Sequence, residues 1–156
     1  MLAEIVAQDD DWLEITHDYI QWLFPLTEHS RVTPGAPTML PDDIRVFKED
    51  DLLQGHMLIA FKRMLRFYGL ESTGTEIAKG YNWEQRKTNW FTEPTHNNVR
   101  ITRILKSLAL SGLEREAVRL QVALESLCNT EPGCGVPEES RVFWRRAVTP
   151  SGRGAA

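Results

Sequence analysis

Four polar side chains recur at three- and four-residue intervals within residues 95–111: His96, Arg100, Arg103 and Ser107. Wound as a helix at about 100° per residue, they share a sector roughly 60° wide. Two guanidinium forks on one stripe suit a carboxylate or a phosphate, which each can grip with two parallel N–H donors. The stripe also begins at a helix N-terminus, where unpaired backbone N–H groups and the positive end of the dipole favour an anion. The chemistry this points to is recognition of a phosphate or peptide carboxylate by His96, Arg100 and Arg103. Alternatively the stripe is structural, its arginines pairing with carboxylates from the helices that carry Trp12 and Asp51. Asn97 and Asn98 open the same helix, and Asn97 projects near its apolar side. Its amide either ties down a neighbouring loop or orients a ligand.

Aromatic residues flank this stripe. Trp22 falls outside the apolar sector of the first helix, so it packs under the loop over 26–40 or forms a second contact surface. Trp83, Trp90 and Phe91 lie just before His96. Core packing is the ordinary fate of such side chains. An aromatic wall of Trp22 and Trp90 beside a cationic stripe would instead suit the Tyr or Phe of a peptide, or a nucleobase.

The elements that must position these residues are helical. From Asp9 to about Phe24, Trp12, Leu13, Thr16, Tyr19, Ile20 and Leu23 recur at helical spacing, and Pro25 stops the pattern. Pro34, Gly35 and Pro37 constrain the loop over 26–40. Pro41 suits the first position of a short helix ending near Lys48, with Asp42 and Asp43 favourable to its dipole. From Asp51 to Tyr68, Leu53, Met57, Phe61, Met64, Leu65 and Tyr68 line one face, and Gly69 can terminate the run. On the opposite face His56, Lys62, Arg63 and Arg66 are expected to be solvated. A helix is predicted around Tyr81 to Trp90, with a break at Pro94. Thr95 caps the helix that carries the stripe, which runs to Ser111 and stops at Gly112. A further helix extends to about Leu127, with Leu113, Ala117, Leu120, Leu124 and Leu127 on one stripe. Pro137 opens a last helix to Val148, carrying Phe143 and Trp144. No stretch alternates convincingly with period two. The expectation is an all-α, single-domain bundle of about six or seven helices over residues 1–148, with a disordered tail over 149–156.

Composition narrows the function classes. The 156 residues fit one domain with one core. A net charge of −4 and a pI near 5.6 give no strong nucleic-acid signal. The start, MLAEIVAQDDDW, has neither the basic nor the apolar region of a signal peptide, and no apolar run reaches a membrane span, so a cytoplasmic location is expected. Cys128 and Cys134 can close a small disulfide, but two free thiols in a reducing compartment are expected. Two cysteines alone do not make a zinc site, and no cofactor or metal is implied. A Gly-rich phosphate loop, HExxH, GxSxG and Cys/His sets at metal spacing are all absent. Any catalysis would need a dispersed site, with His96 as acid or base and the two arginines as an anion clamp.

Four blocks carry a wider resemblance: HDYIQWLFPL (17–26), AP (36–37), MLRFYGLE (64–71) and HNNVRITRILKSLALSGLE (96–114). In this order, over about residues 12–125, the sequence resembles the conserved domain of the opioid growth factor receptor family. The resemblance implies a receptor-like protein that binds an enkephalin-type peptide and, in animals, associates with the nucleus and with membranes. It implies no catalytic residues. Without the long low-complexity repeats of the animal receptors, the sequence reads as a short stand-alone member of bacterial type. The expectation is therefore a non-enzymatic domain that binds a short peptide or an anionic small molecule. Its site would lie where the helix starting at His96 meets the segments 22–25 and 83–91. A protein–protein module without a pocket is the alternative.

Overall fold

Asp50 starts the longest helix, α5 (Asp51–Tyr68), by accepting from the backbone N–H of Leu52 and Leu53 at 2.9 and 3.1 Å. The helix ends at Gly69, whose φ of 81° lies in the left-handed region. A side chain there would meet the Trp83 Cα at 2.9 Å, so the position needs glycine for its angle and for space. The structure, a computed structural model, describes residues 1–31 and 33–149. The helices α1 (Leu2–Val6) and α4 (Pro41–Glu49) pack on α5. The other half of the domain is a packed set of three helices, α7 (His96–Leu110), α8 (Glu114–Thr130) and α9 (Glu138–Val148). Their buried faces are those the spacing assigned: Ile101, Ile104, Leu105 and Leu108 on α7, and Ala117, Leu120, Leu124 and Leu127 on α8. The described residues are predominantly helical, as expected.

Between these halves sits an aromatic cluster. Trp90 is fully buried and meets Tyr68, Trp83, Phe91 and Trp144 edge-on, with ring centroids 5.5 to 6.4 Å apart. Its indole N–H donates to the Tyr68 carbonyl at 2.9 Å, and that of Trp144 donates to the Asn98 carbonyl at 3.1 Å. Both polar atoms are satisfied, which burial of an indole requires.

Four sequence expectations need correction. The helix expected from Asp9 to Phe24 is two pieces, α2 (Asp10–Ile15) and α3 (Ile20–Leu23), separated by an extended Thr16. Asp9 caps the start, accepting from the Trp12 N–H, but Tyr19 Oη and Arg100 take the carbonyls of Leu13 and Thr16 at the break. The helix expected from Tyr81 to Trp90 shrinks to α6 (Trp83–Arg86) and one 3-10 turn (Lys87–Asn89). There too, side chains claim the carbonyls: Thr95 and Asn97 donate to Asn89, and Asn98 to Trp90. A hairpin, β1 (Leu70–Ser72) with β2 (Ile77–Lys79), pairs antiparallel with Glu71 opposite Ala78. Three residues per strand are too few to show alternation. Finally, Arg63 is buried rather than solvated, because α2 crosses that face. Its Nη2 donates to Asp10 Oδ1 and to the Gln8 carbonyl, both at 2.9 Å. The tail expected over 149–156 falls, from Pro150 onward, outside the described residues.

Candidate functional site

Thr95 fixes where α7 begins. Its hydroxyl oxygen accepts from the Asn97 N–H at 3.2 Å, and Asn98 Oδ1 accepts from the Thr95 N–H at 3.1 Å. This reciprocal cap is worth about 1 kcal/mol and sets the rotation of every residue that follows. The rotation turns the polar stripe toward the segment 13–25, whose exposed carbonyls it meets one by one. Arg100 Nη1 donates to the Leu13 carbonyl at 2.9 Å and Nη2 to that of Thr16 at 2.7 Å. Arg103 Nε donates to the Phe24 carbonyl and Ser107 Oγ to that of Pro25, both at 2.8 Å. The stripe is thus a clamp on the broken first helices. The arginines hold main-chain carbonyls, where the structural alternative had expected carboxylates, and only His96 meets one, Glu14 of α2.

The sequence-selected residues fall into two groups. Asn97, Ser107 and Trp90 are fully buried, and Arg100 nearly so. Asn97 Nδ2 ties Glu14 Oε2 at 3.1 Å and the Asn89 carbonyl at 3.0 Å. Arg100 is spent on protein acceptors, and its guanidinium lies over the Tyr19 ring, 5.3 Å from the centroid. Arg103 is part-buried, His96 is exposed and Trp22 is 45% exposed. These three keep solvent-facing surface.

At the N-terminal end of α7 the structure gathers groups that sequence spacing did not connect. His96 Nε2 lies 3.3 Å from Glu14 Oε1, and the His96 and His17 rings meet edge-on with centroids 5.5 Å apart. Arg100 Nη2 lies 3.4 Å from His17 Nδ1. Partial burial and then the charge of Arg100 hold the His96 imidazole below its ordinary pKa. Glu14 opposes this and His17 adds to it. Burial pushes the Tyr19 hydroxyl up to about 12, against the pull of Arg100. Burial likewise lowers Arg103, with Glu28 opposing. Sequence spacing gave no signal for this cluster, because the break at Thr16 interrupts the helix between Glu14 and His17. Among the described residues, no three His, Cys, Asp or Glu side chains are grouped to hold a metal ion.

Open space lies elsewhere. A groove of ≈ 170 Å³ runs between α1, α3, α4 and α5, lined by Leu2, Trp22, Leu23, Phe47, Leu53 and Met57. A shallower apolar recess, which shares Met1, Leu2 and His56 with it, continues to Val6 and Ile59. A larger cleft of ≈ 770 Å³ separates α4 from the ends of α7 and α9, with Lys48, Lys106 and Arg146 set against Glu28 and Glu114. None of these three spaces is lined by His96, Arg100, Arg103 or Trp90. Trp22, outside the apolar sector of its helix, stands half-exposed on the wall of the first groove.

Three of the four sequence blocks map onto this geometry: the α7 clamp, the α3 segment it holds, and the end of α5 beneath the aromatic cluster. The opioid growth factor receptor (OGFr) conserved region matches residues 2–134. This chain belongs to the opioid growth factor receptor family. Human opioid growth factor receptor is 44% identical over 109 residues, covering 67% of this chain and 16% of that protein. Rat opioid growth factor receptor-like protein 1 is 40% identical over 109 residues, 68% of this chain and 23% of the relative. The Xenopus tropicalis protein of the same name is 35% identical over 129 residues, 80% of this chain and 25% of the relative. The matched region is thus a quarter or less of each of these relatives. No solved structure matches the chain. The fold of this chain extends past the matched region, since α9 begins at Glu138 and supplies Trp144 to the core. No helix of the described residues is long and apolar enough to cross a membrane.

Proposed function

We propose that this chain is a receptor-like interaction domain that binds a short peptide by taking an aromatic or aliphatic side chain into the groove beside Trp22. The observation that carries this is Trp22 itself. A tryptophan 45% exposed, on the wall of a groove whose lining is apolar apart from His56, gives the pattern of an anchoring pocket. At ≈ 170 Å³ the groove holds one side chain rather than a whole drug-sized ligand, which suits a peptide lying across the surface. Family membership supports the receptor-like part of this proposal, and the name of the relatives makes an opioid growth factor the first ligand to test, with the enkephalin-type peptide implied by the sequence resemblance as its probe. Catalysis has less support, because the guanidinium of Arg100 is turned onto protein carbonyls and is not free to clamp a substrate.

A second site on the same domain would use His96 and Arg103 for an anionic group of the partner. What favours it is that these two members of the stripe keep solvent-facing surface at one end of α7 and midway along it. Calorimetric titration with an enkephalin-type pentapeptide, and with a version whose aromatic residues are alanine, tests both. Binding to the wild type should need the aromatics and weaken roughly tenfold or more in Trp22→Ala. Binding unchanged in Trp22→Ala but lost in Arg103→Gln would assign the site to α7 instead. No binding by a folded wild type removes the peptide proposal.

A further inference from the structure

We propose that Cys128 and Cys134 form an oxidisable dithiol, which closes as an intramolecular disulfide when the folded chain meets a low-molecular-weight disulfide. Both are free thiols, half-buried, and both pack against the hydrophobic core. Cys128 lies in the last turn of α8, which closes with the Glu131 N–H donating to the Leu127 carbonyl at 2.9 Å. The chain then reverses through Pro132 and Gly133, whose φ of 84° makes the turn. This brings Cys134 back beside Cys128, near enough for the charge of one thiol to act on the other.

The return strand is pinned immediately after Cys134. The Gly135 N–H donates to the Phe91 carbonyl at 2.7 Å, and Val136 is buried. Gly135 sits so close to the strand beneath that a Cβ there would lie 2.0 Å from the Thr92 carbonyl oxygen. Cys134 is thus held between a helix end and a backbone contact, and the pair is presented together by the fold rather than by chance encounter in a loop. High local concentration of the second thiol is what makes a dithiol favour the internal disulfide over two mixed ones.

The order of events follows from the surroundings. Burial, reinforced by the neighbouring Cys134, pushes the Cys128 thiol up to about 12. Burial disfavours the Cys128 thiolate, so the exchange is written with Cys134 attacking first. Its thiolate, having given its proton to solvent, attacks one sulfur of the oxidant RS–SR. The S–S bond breaks, RS⁻ leaves, and Cys134 carries the mixed disulfide. Cys128 then attacks the Cys134 sulfur, losing its proton to the medium as the second RS⁻ departs. Two protein thiols are oxidised by two electrons, one oxidant disulfide is reduced to two thiols, and the two protons end on the leaving groups. The new bond would tie the end of α8 to the strap lying on Phe91 and Thr92, the segment that leads into the α7 cap at Thr95.

The test is incubation of the folded protein with oxidised glutathione, followed by intact mass and free-thiol titration. The wild type should lose two hydrogens and both thiols while staying monomeric. Cys128→Ser should instead hold a lasting glutathione adduct on Cys134. Repeating the wild-type equilibrium in urea should lower the constant for internal closure roughly tenfold or more, because the pinned geometry is gone. A wild type that accumulates two adducts or a cross-linked dimer overturns the proposal. So does a closure constant as large in urea as in the native state.

Discussion

The Arg100 guanidinium lies over the ring of Tyr19, whose hydroxyl donates to the same Leu13 carbonyl that accepts from Arg100 Nη1. Packed together, with Arg100 Nη1 also 3.3 Å from the Tyr19 hydroxyl, the two side chains seal the break between α2 and α3. Among the described residues, no carboxylate forms an ion pair with Arg100. Its charge is solvated instead by carbonyl dipoles and by the negative end of α2.

Replacing Arg100 by Gln therefore leaves the Thr16 carbonyl and part of the Leu13 site without a donor in a buried place. With charge-assisted bonds worth about 1.5–3 kcal/mol each, the expected loss is roughly 3 kcal/mol. At about 2–4 °C per kcal/mol for a chain of this size, the melting temperature should fall by roughly 6–12 °C. Arg103→Gln, which gives up one bond at a part-buried position, should cost about 1 kcal/mol. Chemical denaturation of the two variants checks the ranking. Equal losses would mean that Arg100 is not the main clamp.

The spacing of His96, Arg100, Arg103 and Ser107 was legible because it is local, and the caps at Thr95, Gly69 and Gly112 were legible because their residue types leave few options. What the stripe faces was not legible. The acceptors for Arg100 lie 84 and 87 positions away, and nothing in residues 95–111 says whether a carboxylate or a bare carbonyl will arrive there. The break at Thr16 was masked by packing: Leu13, Tyr19, Ile20 and Phe24 keep an apolar rhythm and are all buried although the helix between them is interrupted. The groove beside Trp22 draws on α1, α3, α4 and α5, so no single window of sequence contains it.

The Glu14, His17, His96 and Arg100 cluster makes stability depend on pH in a stated direction. His96 is held below its ordinary pKa in the fold, so the unfolded chain binds its proton first. Stability from this residue is therefore present above the unfolded value of about 6.5 and is lost as pH falls from there through the lower folded value. Glu14, 3.3 Å from the His96 ring, softens the loss. Urea midpoints measured from pH 7.5 to 5 should decline, and the decline should be shallower in His96→Gln. An identical slope in the variant would show that other groups carry the pH dependence.

Two glycines should respond to alanine with opposite signs. Gly135 has the Thr92 carbonyl oxygen where a Cβ would go, at 2.0 Å, and neither backbone can move without breaking the bond from Gly135 to Phe91. Gly135→Ala should cost roughly 2–4 kcal/mol, in the range of severe overpacking. Gly55 sits inside α5 with nothing within 4 Å of its missing Cβ. Gly55→Ala should stabilise by about 0.5–1 kcal/mol, the helix-propensity gain. Thermal unfolding of the pair is a direct check on the packing of the strap over 131–136.

The last helix lies beyond the region matched to the family, yet the core depends on it. Trp144 is 2% exposed, stacks edge-on to Trp90 and bonds the Asn98 carbonyl just inside the α7 cap. Trp144→Ala should cost about 3–5 kcal/mol, because the indole leaves a cavity against an aromatic cluster that cannot collapse into it. Trp144→Phe should cost less than half as much. It keeps most of the apolar volume, and the Asn98 carbonyl still accepts from the Thr102 hydroxyl at 3.2 Å. If the hydrogen bond rather than the volume dominates, the two variants will instead unfold at the same denaturant concentration. A chain ended after Val136 removes α9 entirely and exposes the α7 and α8 faces that it covers. Such a chain should lose its cooperative melting transition and its near-ultraviolet circular dichroism. A sharp transition in that shortened chain would mean that residues 1–136 fold alone and that α9 is an addition to a complete core.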